Sequence, residues 1–395
     1  MIQQKAEDQE AALESQKNHR SFAVSAYSGQ REIMERSVVM RWSWIAALAL
    51  IWVGCTSGPA QVEDELAQKM NRFEISEREV YFDAEGTQVY ATVTVPQEKD
   101  DAPGVVLIAG SGPTDRDWNN PLLPGDNGTA IELSRRLAEA GVATLRYDKR
   151  GTGMTALSEP VVWDDYLAEV QAAVKRLAEE QGVDGQRIFV AGHSEGGVHA
   201  LRAVADQWVD VQGVILLATP GRSTQELVLA QVAEQLEQVG MPREVVDGEL
   251  ASLQAAMESV RRKERVEARQ VSDIPGLVAL VETLQAEDAE LFAADLLGWE
   301  PREAVARIDK PLLIVQGKKD TQVDVDADGR SLLKAAEGTN DDVELVVVDN
   351  ADHVLKYQEI PRQELGGQFS LTYNAPGRHL DEEVLRALLG WIYER

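Results

Sequence analysis

The chain has a single cysteine, Cys55, in 395 residues, so no intrachain disulfide can form and the redox compartment is not legible from cysteine pairing. Histidine is nearly as scarce at five, which makes the search for a catalytic base a short one. Aromatic residues are only 6% of the chain, and no aromatic cage or sugar-stacking platform can be read from them. Basic residues number 39 against 67 acidic ones, a formal charge of −28 that repels polyanions and excludes nucleic acid as a natural partner. The acidity reads as surface solvation rather than cation binding, because no metal-ligand cluster accompanies it. The main apolar run, Trp42 to Val53, falls short of the roughly 20 residues that span a bilayer. What is present is 44% hydrophobic residues, ample for the core of one large domain or two ordinary ones.

The N-terminal region has the order of a secretory signal: Arg41, the apolar run to Val53, then Gly54 and Cys55. Residues 40–55 resemble a bacterial lipoprotein signal, which implies lipidation of Cys55, although Trp52 stands where an aliphatic residue is usual. Cleavage near Ala60, giving a soluble secreted protein, and an uncleaved anchor are the alternatives. Residues 1–39 are polar and unpatterned and are expected to be an upstream extension outside the fold, with Met34 or Met40 a better start. Residues 56–78 are expected to be a tether with a short helix.

From residue 79 the pattern becomes regular. Glu79 to Phe82 and Val89 to Val95 alternate around Asp83-Ala-Glu-Gly86 and predict a hairpin. Gly104 to Ala109 is a continuous apolar run, as in a strand buried on both faces. Helical spacing over Thr129 to Ala140 and Asp164 to Glu180 alternates with strands at Val142 to Tyr147, Ile188 to Ala191 and Val211 to Ala218, and a helix is expected over Gly197 to Asp206. This order implies an α/β fold with a mostly parallel sheet and helices on both faces. Residues 222–307 lose the strand rhythm and read as an inserted helical cap, too long for one crossover. Strands return at Leu312 to Gln316 and Val343 to Val348, with helices from Asp328 to Ala336 and from Asp381 to Tyr393.

The stretch that carries chemistry is Gly192-His-Ser-Glu-Gly196, where an apolar strand turns abruptly into a helix. A serine at such an apex is held in a strained backbone, and Gly192, Gly196 and Gly197 are needed because side chains there would collide with strand or helix. A glycine-rich turn can also be a mere tight connection, so its partners decide. A hydroxyl needs a base, and the base an orienting group. Asp320 follows the strand at Leu312 to Gln316, and His353 follows the strand at Val343 to Val348, both at carboxyl ends where sites of open parallel sheets gather. Asp324 or Asp326 could replace Asp320, and His379 could replace His353. Gly110-x-Gly112 could open a dinucleotide-binding turn, but Asp115 stands at the third glycine position.

Taken with its order Ser194, Asp320, His353, the chain from residue 79 to 395 resembles an α/β-hydrolase. Its first loop, Gly110-Ser-Gly-Pro-Thr-Asp-Arg-Asp117, is similar to that of bacterial esterases of the dienelactone-hydrolase and serine-aminopeptidase branches. That group often continues with glycine where this chain has Trp118, and many relatives carry histidine where it has Ala109. The resemblance implies backbone N–H groups of Ser111 and Glu195 as the oxyanion hole, and an Asp148-to-Gly153 loop shared with the family. Asp115, Arg116 and Asp117 are expected to form an ion-pair network that shapes the first loop.

The expected activity is hydrolysis of a small carboxylic ester by Ser194, His353 and Asp320 through an acyl-enzyme, with no metal or organic cofactor. A peptidase or amidase of the serine-aminopeptidase type uses the same triad, and a non-catalytic envelope binding lipoprotein is the reading from another class. Oligomeric state is not encoded in these features. The expected location is the cell envelope, through a lipid on Cys55. Mass spectrometry of the mature protein should find diacylglycerol on Cys55, and an unmodified N-terminus elsewhere removes the lipoprotein assignment.

Overall fold

In a computed structural model, residues 72–395 are described except 158–159, 288 and 366–368. The expected signal peptide, its upstream extension, Cys55 and most of the tether therefore lie outside the described residues. Among these residues no helix is long and apolar enough to cross a membrane.

Among the described residues eight strands, numbered along the chain, form one sheet in which the third and fourth exchange places and the others stand in chain order. The hairpin β1 (Ile75–Ala84) and β2 (Thr87–Pro96) joins the sheet antiparallel at β4 (Ala143–Tyr147). The strands β3 (Ala102–Ile108), β5 (Val183–His193), β6 (Gly213–Leu217), β7 (Leu312–Gly317) and β8 (Val343–Val348) run parallel to their neighbours. Successive residues of β3 show why these runs carry so few polar side chains. Val106 and Ile108 enter the core on one face, with α2 (Trp163–Ala178) and α3 (Glu195–Ala205); Val105 and Leu107 enter the other, with α1 (Thr129–Glu139) and the C-terminal helix Glu382–Tyr393. A strand covered on both sides must be apolar at every position. The architecture is the expected α/β-hydrolase fold.

The differences from expectation lie at element ends. β1 starts at Ile75 rather than Glu79, because Ile75 pairs with Pro96 at the far end of the hairpin. Residues 75–78, read as the end of a tether, thus belong to the sheet. β5 starts at Val183, ahead of Ile188; Val183 pairs with Ala102, and the register then shifts so that Ile188 pairs with Gly104, which alternation does not reveal. The helix expected from Asp328 starts at Arg330 after a π-helical turn, Val325–Gly329. Asp328 there binds the Arg222 guanidinium at 2.6 Å and the backbone N–H groups of Gly221 and Arg222.

Between β6 and β7 the described residues form six helices, α4 (Thr224–Gln238), α5 (Arg243–Arg261), α6 (Ala268–Val271), α7 (Pro275–Leu284), α8 (Glu290–Leu297) and α9 (Pro301–Val305). α4 opens with a capping box, Ser223 accepting from the Glu226 N–H and Glu226 from the Ser223 N–H. The helices share a small core around Leu236, Leu253, Met257 and Val281. Trp163 fastens this segment to the sheet domain. It is fully buried, meets Phe292 and Trp299 edge-on at 5.9 and 5.3 Å, and donates its indole N–H to His199 at 2.9 Å. Replacement Trp163→Ala should cost about 3–5 kcal/mol from the lost burial together with the cavity left behind. Denaturant melts check it, and an unchanged midpoint removes Trp163 from that role.

Candidate active site

The site stands at the carboxyl ends of β3 and β5, where the chain order reverses direction across the sheet and the loops diverge to leave a crevice. Ser194 occupies the turn between β5 and α3 with φ 55° and ψ −123°, a conformation rare for a residue with a side chain. It persists because the surroundings over-determine it. The Ser194 N–H donates to the Leu217 carbonyl at 2.8 Å, and the Gly197 N–H to the Ser194 carbonyl at 2.9 Å. A Cβ on Gly192 would lie 2.2 Å from the Gly196 carbonyl oxygen, and one on Gly196 would lie 2.4 Å from that of Ile108. Gly192 and Gly196 are thus places of backbone-to-backbone contact, whereas a Cβ on Gly197 would meet the Thr219 side chain at 1.9 Å.

Ser194 and His353 line one cavity of about 100 Å³, together with Gly110, Ser111, Trp118 and Tyr373. The imidazole of His353 is buried, and its Nδ1 donates to Asp320 Oδ2 at 2.9 Å. Asp320 is itself buried and accepts three further hydrogen bonds: from the N–H groups of Gln322 and Val323 at 2.7 and 2.9 Å, and from Gln316 Nε2 at 3.1 Å. Every lone-pair direction of that carboxylate is used, so its orientation is set and with it the ring of His353. Directed at Asp320 through Nδ1, the imidazole leaves Nε2 as its other functional nitrogen. Burial opposes a charge on His353, but the attraction and hydrogen bond of Asp320, with a contribution from Asp352, outweigh it and raise the pKa above 6.5.

His193 clamps the loop of His353 to the elbow. Its Nε2 donates to the His353 carbonyl at 2.7 Å, and its ring stacks on Trp118 with centroids 4.7 Å apart. Burial and then the nearby His353 push its pKa down to about 3, so it is a neutral donor at physiological pH. Trp118 has φ 64°, which explains why similar loops carry glycine there. This chain accepts the strain and gains an indole against His193. Asp352 accepts from the N–H groups of Val354 and Lys356, and Lys356 Nζ reaches the Asn127 carbonyl at 2.6 Å on the cavity's far side.

The first loop is pinned by ion pairs at Arg116 and Asp117, as expected, whereas Asp115 forms none among the described residues and instead caps the turn. Arg116 binds Asp148 at 2.7 Å and also Glu79, Arg146 binds Asp117 at 2.7 Å, and Asp115 Oδ1 accepts from the N–H groups of Asp117 and Asn119. Gly110 packs on the elbow, where a Cβ would be 3.3 Å from that of Ser194. Ser111 borders the cavity, and Glu195 is the first residue of α3, where N–H groups are free of helical partners. The competing candidates are engaged elsewhere. Asp324 caps the π-helical turn through the N–H groups of Asp326 and Ala327, Asp326 pairs with Arg330, and exposed His379 bonds the Gly377 carbonyl. Sequence reading did not find Tyr373, Gln316 or the roles of Trp118 and His193; of these Trp118, standing at a position where glycine is usual, and His193, adjacent to the serine, stood beside a signal.

Comparison with known proteins adds lineage to geometry. Residues 127–359, which contain Ser194, Asp320 and His353, match the family described as serine aminopeptidase, S33. Esterase EstD of Thermotoga maritima is 27% identical over 304 residues, 76% of this chain, and the chain spans 64% of that relative's length. A solved esterase of Pyrococcus furiosus shares 17% identity with a TM-score of 0.50, covering 87% of this chain and 95% of its own. Est1E from Butyrivibrio proteoclasticus follows at 19% identity and a TM-score of 0.49, over 80% of this chain and 100% of that one.

An NMR titration of His353 should give a midpoint above 6.5 that falls in Asp320→Asn, while His193 stays neutral to about pH 3. Because the folded-state pKa of His353 is raised, its pairing with Asp320 stabilises the fold fully below pH 6.5, and that contribution fades as pH rises through the folded value. A His353 midpoint at or below 6.5 removes both statements.

Proposed function

We propose that this chain, which belongs to the serine aminopeptidase S33 family, is a serine hydrolase that cleaves small carboxylic esters through an acyl-enzyme. The observation that carries the reading is one cavity bordered by an elbow serine and by a histidine whose other nitrogen is bound to a hydrogen-bond-saturated carboxylate. Ser194 Oγ attacks the ester carbonyl while His353 Nε2 takes its proton, and Asp320 stabilises the imidazolium that forms. The N–H groups of Ser111 and Glu195 receive the charge that develops on the carbonyl oxygen. His353 then protonates the departing alcohol, and water repeats the sequence on the acyl-Ser194 ester to release the acid and free the serine. The chemistry calls for no metal or organic cofactor.

Ester rather than amide as the substrate is supported by the name of the Thermotoga relative and by the similarity of the first loop to bacterial esterases. The family name favours the peptidase as second reading. Residues 222–307 are assigned as a cap on the support of α4, whose Gln231 side chain donates to the Gln322 carbonyl at 3.3 Å, beside Asp320 and the cavity wall. Lipid attachment at Cys55 would place this domain in the cell envelope.

A p-nitrophenyl ester series with short to medium acyl chains, run beside amino-acyl nitroanilides, tests the reading. Ester turnover should fall by about 10⁴-fold or more in Ser194→Ala. Amide turnover alone moves the assignment to the peptidase, and silence on both favours a binding protein. The acidic limb of kcat/KM should have its midpoint above 6.5, since the base works only when neutral and its pKa is raised.

A further inference from the structure

We propose that Lys149 is a positioning residue that sets both halves of the oxyanion hole, an inference that rests on the serine-hydrolase reading above. Lys149 lies just past the end of β4, 3% exposed, with its Nζ donating to the Gly110 carbonyl. The same Nζ is 3.9 Å from Glu195 Oε1. One buried ammonium thus touches the residue preceding Ser111 and the residue following Ser194, which are the two places from which the oxyanion N–H groups come.

The contact with Gly110 acts through the peptide plane. In a trans peptide the C=O of one residue and the N–H of the next point in opposite directions. Anchoring the Gly110 oxygen on the Lys149 side therefore aims the Ser111 N–H the other way, and Ser111 borders the cavity that holds Ser194. The anchor is needed because the peptide follows Gly110, whose ψ no side chain restricts, in a loop that turns again at Gly112, φ 71°. A peptide next to glycine rotates at less steric cost than one between two side chains, and a donor that must be reoriented at each turnover loses the advantage of preorganisation.

The contact with Glu195 works on the other half. His199 Nδ1 accepts the Trp163 indole N–H at 2.9 Å, so the ring proton is on Nε2, which faces Glu195 Oε1 at 3.6 Å. Glu195 Oε1 thus stands between this N–H and the Lys149 ammonium, each beyond hydrogen-bond distance and acting through charge, at the first turn of α3, the helix end from which the second oxyanion N–H comes. Burial lowers the pKa of Lys149, with Glu195 and Glu169 opposing that shift. Lys149 Nζ also lies 5.9 Å from the centre of the Tyr166 ring, which closes that side of it. A buried cation is costly unless paired, and Glu195 supplies the pairing, with the Gly110 carbonyl as hydrogen-bond acceptor.

The test compares Lys149→Met, close in length but without donor or charge, with the wild type on a p-nitrophenyl ester. Expected are a kcat lower by about 10²-fold and a KM within about threefold. Affinity for an alkyl trifluoromethyl ketone, which forms the tetrahedral adduct, should fall in parallel, while affinity for the matching methyl ketone should hold. In a crystal structure of the variant the Gly110–Ser111 peptide should be rotated. A kcat near wild type, equal loss for both ketones, or a peptide left in place overturns the proposal. If Lys149→Met does not fold, Lys149→Arg, which keeps the charge but displaces the donors, should show the same kcat-against-KM split, and its absence is equally decisive. Wild-type turnover that survives Ser194→Ala would instead sink the hydrolase reading, and the peptide's orientation then judges Lys149 alone.

Discussion

Backbone meets backbone at the elbow, and that close approach is the constraint on which the site depends. Gly196 sits against the carbonyls of Ile108 and Ala109, and Gly192 against that of Gly196. No side chain fits between them. The end of β3, the end of β5 and the start of α3 are consequently locked at van der Waals distance, and Ser194 is lifted into φ 55° as the way the chain passes through. Strain of this kind, of order 1–3 kcal/mol, is retained only where surrounding structure leaves no alternative. Here the surroundings are strands buried on both faces, which cannot shift without opening the core.

Around that fixed point the acidic chain collects buried cations. Arg116, Arg146, Lys149 and Lys356 are each nearly inaccessible: Arg116 ties the first loop to Asp148, Arg146 holds its Asp117, Lys149 holds the Gly110 carbonyl and Lys356 that of Asn127. Loops rich in glycine have little apolar surface to bury, so charge-assisted hydrogen bonds take over the positioning that packing performs elsewhere. Desolvating these groups is expensive, and the return is loop geometry rather than stability. The two histidines at the site divide the labour on the same principle. His353, bound to Asp320, is biased toward its charged form, whereas His193, enclosed by Trp118 and a carbonyl, is kept neutral as a fixed donor.

How much of this could be read beforehand follows from range. The elbow was legible because its signal is local: strained turn, glycines and nucleophile occupy one pentapeptide. Asp320 and His353 were legible because each directly follows an apolar strand. The ends of β1 and β5 were not, since they are polar in sequence and are decided by pairing partners such as Pro96 and Ala102, distant along the chain. Asp328 looked like the start of a helix and instead serves Arg222, a residue more than 100 positions away. Trp118 read as a departure from a glycine position, and only its stack on His193 explains what the departure accomplishes.

By itself the sequence determined the class of the fold and the chemical types available, because hydrophobic period, strand-to-helix order and the glycine-serine turn are properties of neighbouring residues. Tertiary structure alone decided which groups meet. It set His379 at an exposed turn and His353 against Asp320, made His193 a clamp, and carried Lys149 from a loop after β4 to the Gly110 carbonyl and the Glu195 carboxylate. The physical reason is that hydrogen bonds and ion pairs act over a few ångströms of space, and the crossovers of a parallel sheet bring into that space residues the chain keeps far apart.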